Sequence, residues 1–235
     1  MKFVNKKYVL FFLMPLLIGQ ALALDFLAGD QINPLAEKGY KVKNDDTFGG
    51  YAVYAPEGDW KIYRHGSGVA TGGHTKVKTN MLSVGLERYS GRKWIMSQWI
   101  TVTTSQNGVA GWSGDPCAGN KIVKINVVRK GLDRCATAEI QNVKIGSVPT
   151  DTVQIMFIET NNSGRYYRTV FNIHFENMGY TRDEVSDPES DFNVRLKTWM
   201  SQFLDGVVAA ASYDKPGDAF NGVPTFADAM KPKKQ

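Results

Sequence analysis

The residues of this chain that could do chemistry are three histidines, a few scattered carboxylates and a set of aromatic side chains. His65 and His74 bracket a stretch that holds Gly66, Gly68, Gly72 and Gly73. Successive backbone N–H groups in such a stretch can cradle an anion. A nucleotide-binding loop would need Lys and then Ser or Thr after its last glycine, but His74 follows here. The stretch is therefore expected to be a loop without a nucleotide site.

The sequence contains no motif typical of a metal site or of a catalytic nucleophile. No two histidines have a ligand spacing such as H-E-x-x-H, and His174 is expected on the polar face of a strand. The pentapeptide 111–115 resembles G-x-S-x-G but ends in Asp115. The carboxylates are scattered along the chain, at Asp133, Glu139, Glu159 and Glu176. The sequence predicts no catalytic residue, no metal and no cofactor.

The aromatic residues are the most suggestive feature for binding. Six of them could line a groove for a small ligand or a sugar: Trp60, Trp94, Trp99, Trp112, Tyr166 and Tyr167. Most aromatics of a β-rich chain belong to its core, whereas Trp112 lies in a polar, Gly-rich segment. The predicted ligand-binding residues are therefore Trp112, His65 and His74.

The first 23 residues have the pattern of a secretory signal peptide. A basic segment precedes an apolar run at 8–18, and Ala21-Leu22-Ala23 matches the A-x-A cleavage pattern. The run is shorter than the roughly 20 residues that span a bilayer. We expect cleavage after Ala23, a soluble periplasmic or secreted product, and no transmembrane anchor in it.

The charge and the cysteine content argue against two further classes, nucleic-acid-binding proteins and proteins with a redox-active cysteine pair. Loss of the three lysines in residues 1–23 lowers the net charge from +5 to +2, so the body lacks the basic footprint of a nucleic-acid-binding protein. Cys117 and Cys135 would meet an oxidising compartment, which predicts one disulfide. They lack the C-x-x-C spacing of a redox-active pair.

The elements that position these residues are organised around a β-hairpin within Thr152–Glu176. A three-residue loop, Asn162 to Gly164, with Gly164 in a G1 bulge, is a common closure. It predicts the pairs Phe157 with Thr169, Ile155 with Phe171 and Val153 with Ile173. On that register Tyr167, Phe171, Ile173 and Phe175 face a core, and Arg168, Asn172, His174 and Glu176 face away.

Further strands and one helix complete the predicted fold. Short strands are expected at 51–55 and 60–64, a second hairpin at 82–102, and two more strands between 122 and 145. Asp187-Pro188-Glu189 predicts the N-cap of a helix from about Pro188 to Ser212. Its apolar stripe contains Phe192, Leu196, Trp199, Met200, Phe203, Leu204, Val207 and Ala211.

The predicted architecture is α+β: a twisted antiparallel sheet of about six or seven strands with this amphipathic helix packed on one face, a β-sandwich being the alternative. Residues 51–212 would form one domain, after an extended lead-in at 24–50 and before a loose tail at 213–235. The leading function is a non-enzymatic envelope domain that binds a partner or small ligand. The rival is a periplasmic hydrolase whose site is assembled from scattered residues, which a pocket of convergent His and carboxylate groups would favour.

Overall fold

The computed structural model describes residues 38–43, 46–56, 59–71, 78–103, 117, 121–129, 132–145, 147–160, 166–211 and 219–231. Most of these residues belong to one antiparallel eight-stranded sheet, so the fold is sheet-rich with a few helices. The sheet has more strands than the six or seven predicted. The predicted signal peptide, residues 1–23, lies outside the described residues.

The strand order of the large sheet is β1-β4-β5-β6-β10-β9-β8-β7. Its strands are β1 Lys41–Val42, β4 Trp60–Thr71, β5 Lys78–Ser90, β6 Lys93–Thr103, β7 Val123–Arg129, β8 Leu132–Ile145, β9 Val148–Thr160 and β10 Tyr166–Ile173. A separate ribbon pairs β2 Thr47–Phe48 with β3 Tyr51–Ala52. β3 therefore does not pair with β4, and the second sheet is too small for the β-sandwich alternative.

The central hairpin, β9 and β10, has the predicted register. Phe157 lies opposite Thr169, Ile155 opposite Phe171 and Val153 opposite Ile173. The side chains predicted to face a core, Tyr167, Phe171, Ile173 and Phe175, are all buried. The loop at 162–164, on which the prediction was based, lies outside the described residues. The period of two along both strands thus selected the correct faces.

The prediction of a loop from His65 to His74 is wrong for residues 65–71, because β4 continues to Thr71. Gly66 pairs with Ser83, and Gly68 pairs with Met81 on β5. Glycine weakens a strand by only a modest amount, and hydrogen bonding to a long neighbouring strand overrides that preference. Residues 72–77, including His74, lie outside the described residues.

The predicted long helix is present as α2, Asp191–Ala210, and every residue of its predicted apolar stripe is buried. Its start at Asp187 was wrong: the N-cap is Ser190, whose Oγ accepts a hydrogen bond from the Asn193 N–H at 3.2 Å. Asp187 instead ends a short preceding helix, α1 Arg182–Ser186. Asp187 and Ser190 are both good N-cap residues. Because Asp187 already ends α1, which was not predicted, Ser190 caps α2.

Helix α2 packs on one face of the sheet, called here the helix face. The Phe203 ring lies 4.5 Å from that of Phe157 and 5.3 Å from that of Phe171, between centroids. The Trp199 ring lies 5.9 and 6.0 Å from the same two rings. The core of the protein is thus an aromatic cluster between α2 and strands β9 and β10.

The described parts of the predicted lead-in and tail are packed rather than loose. Val42 and Phe48 belong to the core before residue 51. In the tail, Phe220 and Phe226 are buried, and Phe226 begins helix α3, Phe226–Met230. Neither segment has a sequence period, because each contributes only isolated apolar side chains to a core built by other elements.

The predicted disulfide between Cys117 and Cys135 is present, with the two Cα atoms 6.3 Å apart. Both cysteines are buried against Ile158, in a small cluster that is separate from the main core. Among the described helices, none is long and apolar enough to cross a membrane.

Candidate ligand-binding face

The face of the sheet opposite α2, called here the opposite face, carries half-buried aromatic and polar side chains. Directly paired residues of neighbouring strands point to the same side of a sheet. The register places Trp99 beside Gly85 on one strand and Val170 on the other, and Val170 beside Met156. Trp99 therefore lies near the middle of this face, on a row that crosses the central strands.

Two aromatic rings cover Gly85. A Cβ atom on Gly85 would lie 2.7 Å from the Trp99 ring and 2.7 Å from the Tyr63 ring, so only glycine leaves room for both. A shift in the β4–β5 register between Ile62 and Arg64 makes Tyr63 the extra residue of a bulge. Burial, with a smaller contribution from the Glu87 carboxylate, raises the pKa of Tyr63. The two rings, tilted by 54° to each other with their centroids 6.3 Å apart, together cover Gly85 and are called here the platform.

Two arginines flank this platform. The Arg64 guanidinium carbon lies 5.9 Å from the centroid of the Trp99 ring, within the range of a cation–π interaction. Arg168 pairs with Thr101, one row from Trp99, so its Cα lies diagonally about 7–8 Å away. Within the part of the chain that the structure describes, neither arginine forms an ion pair.

A row of neutral polar side chains runs beside the platform. Gln154 Nε2 donates to Asn172 Oδ1 at 2.9 Å, and Asn172 Nδ2 donates to Ser97 Oγ at 3.4 Å. The same row continues to Glu139, which accepts a hydrogen bond from Lys121 Nζ at 2.5 Å. This row presents amide and hydroxyl groups from three adjacent central strands.

A second aromatic group stands at the margin of the opposite face. The rings of Trp94 and His174 lie 6.4 Å apart between centroids. Asn177 Nδ2 donates to the Trp94 carbonyl at 2.9 Å and to His174 Nδ1 at 2.7 Å. His174 Nε2 is therefore left to donate to the Glu176 carboxylate, 3.4 Å away. His174 faces away from the core, as predicted.

The structure does not bring the predicted ligand-binding residues together. His65 is exposed on β4 and pairs with Val84, which belongs to the core, so it points to the side of the helix face. His74 and Trp112 lie outside the described residues. These three residues stay predictions.

Five of the six aromatics singled out from the sequence lie among the described residues, in three places. Trp60 and Tyr167 are buried in the core, whereas Trp94 and Trp99 lie half-buried on the opposite face. Tyr166 packs against the disulfide cluster, and burial raises its pKa. Sequence reasoning missed Tyr63, Arg64 and Gly85. The strand alternation around Trp99 indicated only that its side chain lies on one face of a strand. The register that brings Tyr63, Arg64 and Gly85 next to it was not specified by any local pattern.

A small cavity lies between the helix face and α3. It has a volume of about 10 Å³, room for about one water molecule, and is lined mainly by apolar and aromatic side chains. Arg88 is the charged residue in its lining, and neither His nor a carboxylate contributes. The described residues also contain no group of three His, Cys, Asp or Glu residues that could hold a metal.

A substitution at Gly85 tests whether the platform has this geometry. Gly85→Ala should lower the free energy of unfolding by about 1–3 kcal/mol, because the added methyl group overlaps both rings and must displace them. Indole signals of Trp99 in NMR spectra should shift as the ring moves. Chemical denaturation measures the stability change.

The matched control is Gly68→Ala on the neighbouring strand, where a Cβ atom would meet no atom within 4 Å. That variant should keep the wild-type stability or gain a few tenths of a kcal/mol, since alanine is less costly to order than glycine. Equal effects of the two substitutions would show that the rings do not rest on Gly85.

The opposite face therefore offers flat aromatic surfaces, hydrogen-bonding amides and two available guanidinium groups. Such a set can bind a ligand and orient it. No protein-family model, no curated protein sequence and no solved structure matches this chain.

Proposed function

We propose that this protein is a non-enzymatic exported domain that binds a saccharide on the opposite face of its sheet. The observation that carries the proposal is the Tyr63–Trp99 platform over Gly85, beside the hydrogen-bonded row of Gln154, Asn172 and Ser97. An aromatic face is electron-rich and packs against the C–H groups of a sugar ring. Amide and hydroxyl groups exchange hydrogen bonds with sugar hydroxyls.

The same features favour binding over the rival hydrolase. A hydrolase would need a nucleophile, or a pair of acid–base groups, within hydrogen-bonding distance of a reacting atom. Among the described carboxylates, Glu159 is paired with Arg134, Glu139 with Lys121, and Glu176 with His174 at the margin of the face, away from the platform. The saccharide proposal uses groups that face outward on one surface and needs no further residue.

An exported location supports this function. The N-terminal pattern predicts export, and the Cys117–Cys135 disulfide is typical of the periplasm or the cell exterior. Polysaccharides are abundant in both places. The buried disulfide lies next to Ile158 on the face that carries the platform. It thus helps to keep that face in one geometry under oxidising conditions.

Calorimetric titration tests the proposal, with the exported protein as receptor. The probes are three soluble hexasaccharides: cellohexaose, N-acetylchitohexaose and oligogalacturonate. At least one should bind, and Trp99→Ala should weaken its affinity about fivefold to tenfold because the stacking surface is lost.

The control variant is Tyr40→Ala, which removes an exposed aromatic ring from outside the platform and should leave the affinity unchanged. Circular dichroism must show that both variants are folded. The proposal fails if none of the three probes binds, or if Trp99→Ala binds as tightly as the wild-type protein.

A further inference from the structure

We infer that the saccharide is an acidic one, a chain of several sugar units that bear carboxylates, held by Arg64 and Arg168 on either side of Trp99. This inference rests on the saccharide-binding function proposed above and names the class of ligand. The arguments for it are the charge of the opposite face, the state of the two guanidinium groups and the width of the candidate surface.

The charge of the opposite face is positive in its central part. The register places Lys61, Arg64 and Arg168 on this face. Among the described side chains, its strand carboxylates are Glu87, which lies opposite Lys61, and Glu139, which forms an ion pair with Lys121. Arg64 and Arg168 are then cations with no carboxylate partner among the described residues, which favours an anionic ligand.

The two arginines are prepared to receive a carboxylate. Arg64 is exposed, and its guanidinium lies over the Trp99 ring rather than against an acidic side chain. A guanidinium offers a planar fork of donors that matches the two oxygens of a carboxylate. A ring beneath it restricts its orientation in advance, so less side-chain freedom is lost when the ligand binds. Arg168 is half-buried and has no ion pair among the described residues.

The width of the candidate surface indicates an oligomer. The surface runs from Tyr63 and Arg64 on β4 to Gln154 on β9, with β5, β6 and β10 between them. Neighbouring strands are about 4.8 Å apart, so four strand spacings put its two ends about 19 Å apart. A single monosaccharide does not span that distance. A chain of sugar units can place one ring against the platform beside the Arg64 guanidinium, and further units over Arg168 and the polar row.

The polar row beside the platform suits the rest of such a ligand. Ser97, Asn172 and Gln154 are uncharged, and they lie one row from Trp99 on β6, β10 and β9. They can bind sugar hydroxyls without repelling a carboxylate. The row carries a carboxylate only at each end of this stretch: Glu87 lies opposite Lys61, and Glu139 is ion-paired with Lys121.

The experiment compares oligogalacturonate of six units with the same oligomer after methyl esterification, which removes its charge and keeps its rings. The acidic form should bind at least about tenfold more tightly, and its affinity should fall when NaCl rises from about 50 to 200 mM. Arg64→Gln and Arg168→Gln should each weaken the acidic form about tenfold and affect the ester by less than about twofold.

The matched control is Arg92→Gln in the exposed β5–β6 turn, which should leave both affinities unchanged. Melting temperatures of all variants, measured in parallel, separate a loss of binding from a loss of folding. Because Gln keeps most of the side-chain length, the two arginine variants should melt within a few degrees of the wild-type protein.

Three outcomes would overturn the inference, and they differ in whether the proposed saccharide binding is also rejected. Equal affinity for the acid and its ester, still dependent on Trp99, rejects the acidic class but leaves saccharide binding in place. Failure of every saccharide to bind rejects both proposals. Tighter binding of single-stranded oligouridylate with the same dependence on Arg64 and Arg168 rejects the saccharide and assigns the face to nucleic acid.

Discussion

Trp199→Ala should lower the free energy of unfolding by about 3–5 kcal/mol, the typical cost of a large-to-small change in a close-packed core. The indole is buried, and its Nε1 donates to the Pro224 carbonyl at 3.0 Å. Its ring also meets Phe226 of α3 at 5.0 Å between centroids. The substitution would open a cavity between α2, α3 and the sheet. It would also leave the Pro224 carbonyl without this partner.

Urea denaturation at neutral pH measures this effect. The matched control is Lys197→Ala, two positions earlier on the exposed side of α2, which should change stability by less than about 0.5 kcal/mol. An unchanged midpoint for Trp199→Ala would contradict the packing of α2 on the helix face. The stripe of α2 would then be available as an apolar surface for a partner or a membrane.

Arg134→Met should be comparably destabilising, by about 3 kcal/mol or more, because it leaves a buried carboxylate without its counter-ion. Arg134 Nε donates to Glu159 Oε2 at 2.8 Å, and its Nη2 donates to Oε1 at 3.2 Å. The Glu159 side chain is only 4% exposed. The hydrogen bonds to Glu159 raise the pKa of Arg134.

The double variant Arg134→Met, Glu159→Leu distinguishes loss of the pair from loss of packing. It should recover most of the stability that the single variant loses, since apolar residues of similar volume can replace a buried pair at little net cost. Lys41→Met breaks an exposed pair with Asp59, and should cost less than about 1 kcal/mol. If the single and double Arg134 variants were equally unstable, the charge of Glu159 would not be the cause.

Short-range patterns in the sequence were sufficient to predict three features of the structure. The alternation from Val153 to Ile173, together with a three-residue loop ending at Gly164, predicted the hairpin register; a slip of one residue would move every apolar side chain to the wrong face. The helical spacing from Phe192 to Ala211 was sufficient for the buried stripe of α2. With only two cysteines, the pairing of Cys117 with Cys135 had no alternative within the chain.

Tertiary structure alone decided where strands end and which helix cap is used. The pattern after His65 favoured a loop, but hydrogen bonding to β5 extends β4 through Gly66 and Gly68. Asp187 and Ser190 are both good N-caps, and α1 leaves the second one to α2. In each case a weak local preference competed with a larger set of contacts made by distant residues.

Tertiary structure also decided which aromatics are core and which form the candidate site. Trp60 and Trp99 are both tryptophans in strands, and nothing in their immediate sequence separates the buried one from the platform. The difference arises because α2 covers one face of the sheet, and because Gly85, fourteen residues before Trp99, leaves space for the ring on the other. Arg134 and Glu159 meet across β8 and β9 for the same reason: cross-strand neighbours are set by sheet register, which joins residues that are far apart in the chain.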